Sequence, residues 1–262
     1  MTVGPGCYFH RLDSEGGLSR FAATDHTRSN WSSEIQHGSP PLALLTKSVE
    51  ESLASGMRIG RLSMDILGAV PVSEVAVRAW TERPGRRICL MAAEMTDPSG
   101  RAVARLSAWA LAVSDTADVA ADRYPPLAEG QTAPLQWRWP ETSGYLETVH
   151  WRPQHDESAG ATVYWMRPMD ALVDDEPTTA LQRLAMVVDS ANGIGSVLDP
   201  ARFLFLNTDT AVHLHRLPTG QDFGVRARAS IGPDGIGVTT AEIFDERGFV
   251  GTSAQTLLVQ RN

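Results

Sequence analysis

A chain of 262 residues with 42% hydrophobic and 21% charged residues has room for one large domain or two of ordinary size, and a net charge of -8 argues against broad contact with nucleic acid or an anionic membrane. It contains no run of about 18 apolar residues that would insert in a membrane, and its first twenty residues lack the basic head and apolar core of a signal peptide. Two cysteines, Cys7 and Cys89, are too few for a disulfide framework and suit a reducing, cytoplasmic setting.

In chain order, residues 7–24 read as a hairpin around the turn-rich Asp13-Ser14-Glu15-Gly16-Gly17. Residues 42–53 carry a helical stripe of Leu42, Leu45, Val49 and Leu53. Pro40 and Pro41 stand just ahead of it, where a first turn tolerates a missing N–H. Extended runs follow at 61–69, 74–82, 87–95 and 102–113, separated by Pro71, Pro84-Gly85 and Asp97-Pro98-Ser99-Gly100. Residues 115–144, with Pro125, Pro126, Pro134 and Pro140 among polar neighbours, read as a linker. Extended pieces at 145–151 and 162–167, a helix over 178–192, and extended runs at 203–215, 222–230, 237–245 and 249–260 complete the chain.

Hairpin, helix and four strands thus occur twice, and residue matches accompany the order. Val77-Arg78-Ala79 recurs as Val225-Arg226-Ala227, and Glu94, Asp97 and Gly100 recur as Glu242, Asp245 and Gly248, all at a spacing of 148. Leu62 and Asp65 match Leu206 and Asp209 at a spacing of 144. The pattern predicts a duplication, with units at 1–114 and 145–262 joined by the linker 115–144. The alternative is one large mixed domain with coincidental similarity. A helix followed by a strand meander must bury the helix on one sheet face. The expected class is therefore α+β: a double hotdog, two antiparallel sheets each wrapped around a central helix and joined into one continuous sheet.

Three segments carry a family resemblance. They are His37-Gly38-Ser39-Pro40-Pro41-Leu42-Ala43-Leu44-Leu45, the strand Phe205-Leu206-Asn207-Thr208-Asp209-Thr210-Ala211-Val212-His213-Leu214-His215-Arg216, and Asp245-Glu246-Arg247-Gly248 leading into Ser253-Ala254-Gln255. In order and spacing they resemble actinobacterial TesB-like acyl-CoA thioesterases. That resemblance implies acyl-CoA as substrate, no cofactor, and a homo-oligomer of two or more copies. It also implies a site in which Asp189 and Gln255 hold an activated water. The third position, usually threonine, falls on Asn207, with Thr208 adjacent. His37, Gly38 and Ser39 at the first helix start are the candidate substrate-binding residues, with backbone N–H groups near Gly38 as oxyanion donors. Ser39 stands where the family commonly has a second glycine.

Each residue has a plainer reading: Asp189 as a cap, Gln255 on a solvent face, Asn207 at a turn, His37 as packing. Shifting by 148 sets Ser107 against Gln255, and by 144 sets Ser63 against Asn207, so one working site per chain is expected, in the second unit. His213 and His215 share a strand face without an evident third metal ligand. No G-x-S-x-G elbow occurs, and Asn192-Gly193-Ile194-Gly195 lacks a preceding strand, which argues against dinucleotide binding. A non-catalytic acyl-CoA or lipid-binding module is the second functional expectation. A hydratase is the third, and no hydratase-type Asp/His segment is evident.

Overall fold

The computed structural model describes residues 6–14, 16–124, 127, 132, 135, 144–156 and 161–262. The prolines of the expected linker, Pro125, Pro126, Pro134 and Pro140, lie outside the described residues, as does Glu15 of the first turn.

The first half comprises β1 (Cys7–Arg11), β2 (Ser19–Ala23), α1 (Ser39–Glu51), β3 (Met57–Ile66), β4 (Glu74–Arg83), β5 (Ile88–Thr96) and β6 (Ala102–Ala112). The second comprises β7 (Val149–Asp156), β8 (Ala161–Pro168), β9 (Ala171–Val173), α2 (Ala180–Val188), α3 (Ala191–Gly195), β10 (Phe203–Asn207), β11 (Asp209–Leu214), β12 (Phe223–Ile231), β13 (Ile236–Asp245) and β14 (Gly248–Arg261). All the strands join one sheet in the order β7-β8-β12-β13-β14-β11-β3-β6-β5-β4-β2-β1-β9, with β10 also on β14. The two halves meet where β3 pairs antiparallel with β11, and Asp65 there faces Asp209.

α1 is buried from Ser39 through Val49, because the sheet covers one side and α2 packs on another. Leu42, Leu44, Leu45 and Val49 from α1 share a continuous core with Leu184, Val187 and Val188 from α2. At about 1.5–3 kcal/mol for each fully buried large aliphatic side chain, this shared core is the main cohesive term between the helices. The double hotdog expected from the sequence is the fold observed.

Three local features differ from the sequence reading. Residues Tyr145–Thr148 form a 3-10 turn, so the extended piece starts at Val149. The helix expected over 178–192 breaks after Val188, where outside side chains take its carbonyls: Tyr145 Oη donates to Met186 O, and Gln255 Nε2 to Asp189 O. The run expected over 203–215 breaks at Thr208.

An unforeseen strand, β9, also crosses between halves. Only Met169 and Asp170 separate it from β8, yet it pairs in parallel with β1 at the far end of the sheet path. Two residues span only about 10 Å, so the sheet must curl nearly closed around the helices. The crossing is clamped by polar side chains. His26 pairs with Asp170 and His10 with Asp174 (both 2.6 Å), while Arg11 and Lys47 converge on Glu176 at 2.5 and 2.8 Å. The Arg11 hydrogen bond, aided by Lys47, holds the Glu176 carboxyl down to about 2 from its ordinary 4.5. A depressed folded-state value means the stabilisation is complete above pH 4.5 and disappears as pH falls toward 2. Glu176→Gln is expected to lower the melting temperature at pH 7 by about 2–4 °C, for a pair contributing about 1 kcal/mol. Thermal melts across this pH range should show the gap between variant and parent shrinking as the medium becomes acid.

Candidate active site

Asp189 follows the last residue of α2 and is 4% exposed. A carboxylate so deeply buried needs partners, and three strands supply them. Its Oδ1 accepts from Thr210 Oγ1 on β11 (2.5 Å), Asn207 Nδ2 at the end of β10 (2.8 Å) and Gln255 Nε2 on β14 (3.2 Å). Gln255 Nε2 also reaches the Asp189 carbonyl at 2.9 Å and Thr210 Oγ1 at 3.0 Å. With these donors all on Oδ1, Oδ2 is the oxygen left to act.

The break at Thr208 explains the grouping. In an unbroken strand Asn207 and Thr210 would point to opposite faces; the kink between β10 and β11 turns both onto one oxygen. Thr208 is turned outward instead, contacting Asp209 Oδ1 and Thr256 O. The hydroxyl beside the amide therefore belongs to Thr210, which the sequence reading missed, and not to Thr208. Nothing short of the strand break signals it. Gln255 is buried rather than solvent-facing, and it does not border the cavity described below. Its Nε2 holds the carboxylate, while its Oε1 has no hydrogen-bond partner among the described residues.

Gly38 presses on the other side of Asp189. A Cβ at position 38 would lie 2.3 Å from Oδ2, so only glycine allows this approach. Next to it, the Ser39 N–H donates to His37 Nδ1 at 3.1 Å. An accepting Nδ1 carries no proton, so His37 is neutral with its proton on Nε2. Burial pushes the imidazole down to about 4, outweighing the opposing pull of Asp189, whose Oδ2 lies 3.8 Å from Nδ1. The helix start offers fewer oxyanion donors than expected. Pro40 and Pro41 have no N–H and that of Ser39 is spent on His37, which leaves Gly38 N–H and His37 Nε2–H. Ser39 is fully buried and does not border the cavity; its contact with the site is the N–H that it donates to His37 Nδ1.

The cavity has a volume of about 710 Å³ and is bordered at one point by His37, Gly38, Asp189, Asn207 and Thr208. Its apolar walls include Trp31, Met64, Ala104, Trp151, Tyr164 and Leu258, drawn from both halves of the chain. Among the described residues, no group of three or more His, Cys, Asp or Glu is placed to hold a metal ion.

Strand register corrects the comparison of the two copies. Gln255 faces Thr239 across the ladder; Met91, 148 positions before Thr239, faces Ala108, which is 147 before Gln255. The break at Thr208 corresponds at a spacing of 148 to Gly60, where the pairing of β3 slips between Ile59 and Arg61. Asn207, Thr210 and Gln255 thus correspond to Ile59, Leu62 and Ala108, rather than Ser63 and Ser107 for the two amides. All three counterparts are buried apolar residues, so the first copy has core where the second has a polar cluster.

Comparison with known proteins follows the same division. The model of the acyl-CoA thioesterase N-terminal domain matches residues 27–111, and that of the acyl-CoA thioesterase C-terminal domain matches residues 114–259. No curated protein matches the chain in sequence. Among solved structures, a candidate thioesterase from Novosphingobium aromaticivorans DSM 12444 superposes with a TM-score of 0.74 at 16% identity, covering 95% of this chain and 97% of that one. The acyl-CoA thioesterase II TesB2 of Mycobacterium marinum gives 0.71 at 14% identity, covering 96% of each chain. A hot dog fold protein of unknown function from Alicyclobacillus acidocaldarius gives 0.68 at 16% identity, covering 95% of each. At these identities the superpositions speak for the fold.

Proposed function

Because this chain belongs to the acyl-CoA thioesterase family, we propose that it hydrolyses acyl-CoA thioesters to the free acid and coenzyme A by direct attack of water. The observation that carries the proposal is the state of Asp189, a residue bordering the cavity: Oδ1 is tied to Asn207, Thr210 and Gln255, and Oδ2 accepts from none of them. Oδ2 takes a proton from a water molecule as its oxygen attacks the thioester carbonyl. His37 Nε2–H and Gly38 N–H hold the oxyanion that develops. When the tetrahedral intermediate collapses, the carbon–sulfur bond breaks and the proton on Asp189 passes to the departing thiolate. The acyl group occupies the apolar cavity shared by the two halves.

The units are taken as 1–114 and 145–262. In support, β1–β6 fill one half of the sheet path and, β9 apart, β7–β14 the other. One working site per chain, assembly of two or more copies, and a cytoplasmic setting in keeping with the free thiols of Cys7 and Cys89 belong to the same reading. Among the described residues, no helix is long and apolar enough to cross a membrane.

A panel of acyl-CoA esters assayed for free thiol is the direct test. Turnover of at least one ester, with one active site titrated per chain, is the expected result. Saturable acyl-CoA binding without thiol release across the panel would instead establish a non-catalytic binding protein.

A further inference from the structure

Tyr145 is fully buried and does not border the cavity, so it does not touch the proposed substrate. Its ring lies flat on the His37 imidazole, with centroids 3.9 Å apart and planes 11° from parallel. Its hydroxyl donates to Met186 O at 2.8 Å and lies 2.9 Å from Ser190 Oγ, gripping the turn that carries Asp189 on both sides. Its backbone N–H donates to Arg28 O, next to Thr27 O, which accepts from His37 N–H. The preceding Gly144, at φ 135°, fits against Arg28 where a Cβ would lie 2.7 Å from the Arg28 Cβ. The tyrosine is thus anchored through ring, hydroxyl and backbone, and each anchor leads to a site residue or its neighbour.

We propose that Tyr145 is a positioning residue that locks the His37 imidazole and the end of α2 into one rigid unit, keeping Nε2–H and Asp189 Oδ2 aimed at the same carbonyl. This rests on the hydrolytic reading of the site. His37 comes from the first half of the chain and Asp189 from the second, so without a tie their separation would vary with any shift between the halves. Beyond packing, the ring excludes water from one face of the imidazole. The titratable groups facing His37 are the Asp189 carboxylate and the Tyr145 phenol; burial raises the phenol's own value, so it stays neutral. Removing the ring exposes His37 and lets Asp189 draw it toward the protonated form, which cannot accept the Ser39 N–H.

Two variants separate positioning from packing. Tyr145→Phe keeps the stacked ring and loses the hydroxyl anchor; kcat is expected to fall about tenfold, the equivalent of one hydrogen bond, with KM little changed. Tyr145→Leu removes the ring; kcat is expected to fall about 100-fold. Its kcat/KM should also gain an acid limb between pH 5 and 7, falling as the pH drops below the raised imidazole value. NMR titration of the His37 ring should show the Phe variant remaining neutral to about pH 5 like the parent, and the Leu variant titrating near the ordinary 6.5. The proposal is overturned if Tyr145→Leu keeps the parent's His37 titration and kcat while losing only thermal stability. Should the Leu variant not fold, full kcat in Tyr145→Phe would overturn it equally. The titration needs no turnover, so it reads the lock even if the parent releases no thiol, an outcome that would count against the hydrolytic reading alone.

Discussion

Asp189→Asn is expected to reduce kcat for thioester hydrolysis by about 10³-fold, within the usual range for loss of a general base, while leaving the fold in place. The side-chain carbonyl of asparagine can still accept from Thr210, Asn207 and Gln255, and its amide nitrogen replaces Oδ2, which accepts from none of these three. The variant therefore removes basicity with little else. Asp189→Ala is less informative, because it takes the acceptor of the buried Thr210 hydroxyl and one acceptor each from Asn207 and Gln255, at about 1–3 kcal/mol for a donor left unpaired. Thermal melting beside thiol release distinguishes the two. An Asp189→Asn enzyme with kcat within tenfold of the parent would remove Asp189 from the mechanism.

Gly38→Ala is the second large effect expected, and it reaches the same carboxylate from the opposite side. The new Cβ would stand 2.3 Å from Oδ2, 2.7 Å from Cγ and 3.0 Å from Oδ1. The backbone at Gly38 is right-handed helical, φ -67° and ψ -24°, which alanine adopts freely, so the penalty comes from contact and not from conformation. Asp189 has little room to yield because Oδ1 is held from three strands. Either the carboxylate or the His37–Ser39 corner must move, and a displacement of about 1 Å at a reacting group costs about 10²-fold in kcat/KM. Stability should fall by about 1–3 kcal/mol, the usual cost of overpacking. Full activity in this variant would show that Oδ2 does not work from the position described.

Much of this was legible in the sequence, for reasons that can be traced to particular residues. The stripe Leu42, Leu45, Val49 marked α1, and the matches at a spacing of 148 in β4, β5, β12 and β13 marked the repeat, since side-chain periodicity is local and survives in the chain. Asp189, Asn207, Gln255, His37 and Gly38 were also found from the sequence, and they converge. Thr210 and Tyr145 were not. Thr210 enters the cluster only because the strand breaks at Thr208, and Tyr145 only because the second half folds back over α1. A single spacing misleads here, because Asn207 lies 148 positions from Ile59 but Gln255 only 147 from Ala108: the turn after β5 is one residue longer than the turn after β13, and no identity count registers that.

The sequence by itself determined the hydrophobic rhythm of each element, the doubling of the unit, and most of the polar residues assembled at one place. Those follow from local periodicity and residue chemistry. Only the tertiary structure decided which oxygen of Asp189 is spent and which is free, which nitrogen of His37 bears the proton, and that Gln255 and Ser39 lie behind the cavity wall. Each depends on donors brought within about 3 Å from strands and helices far apart in the chain, and hydrogen bonding at that range is a property of packing rather than of order along the sequence.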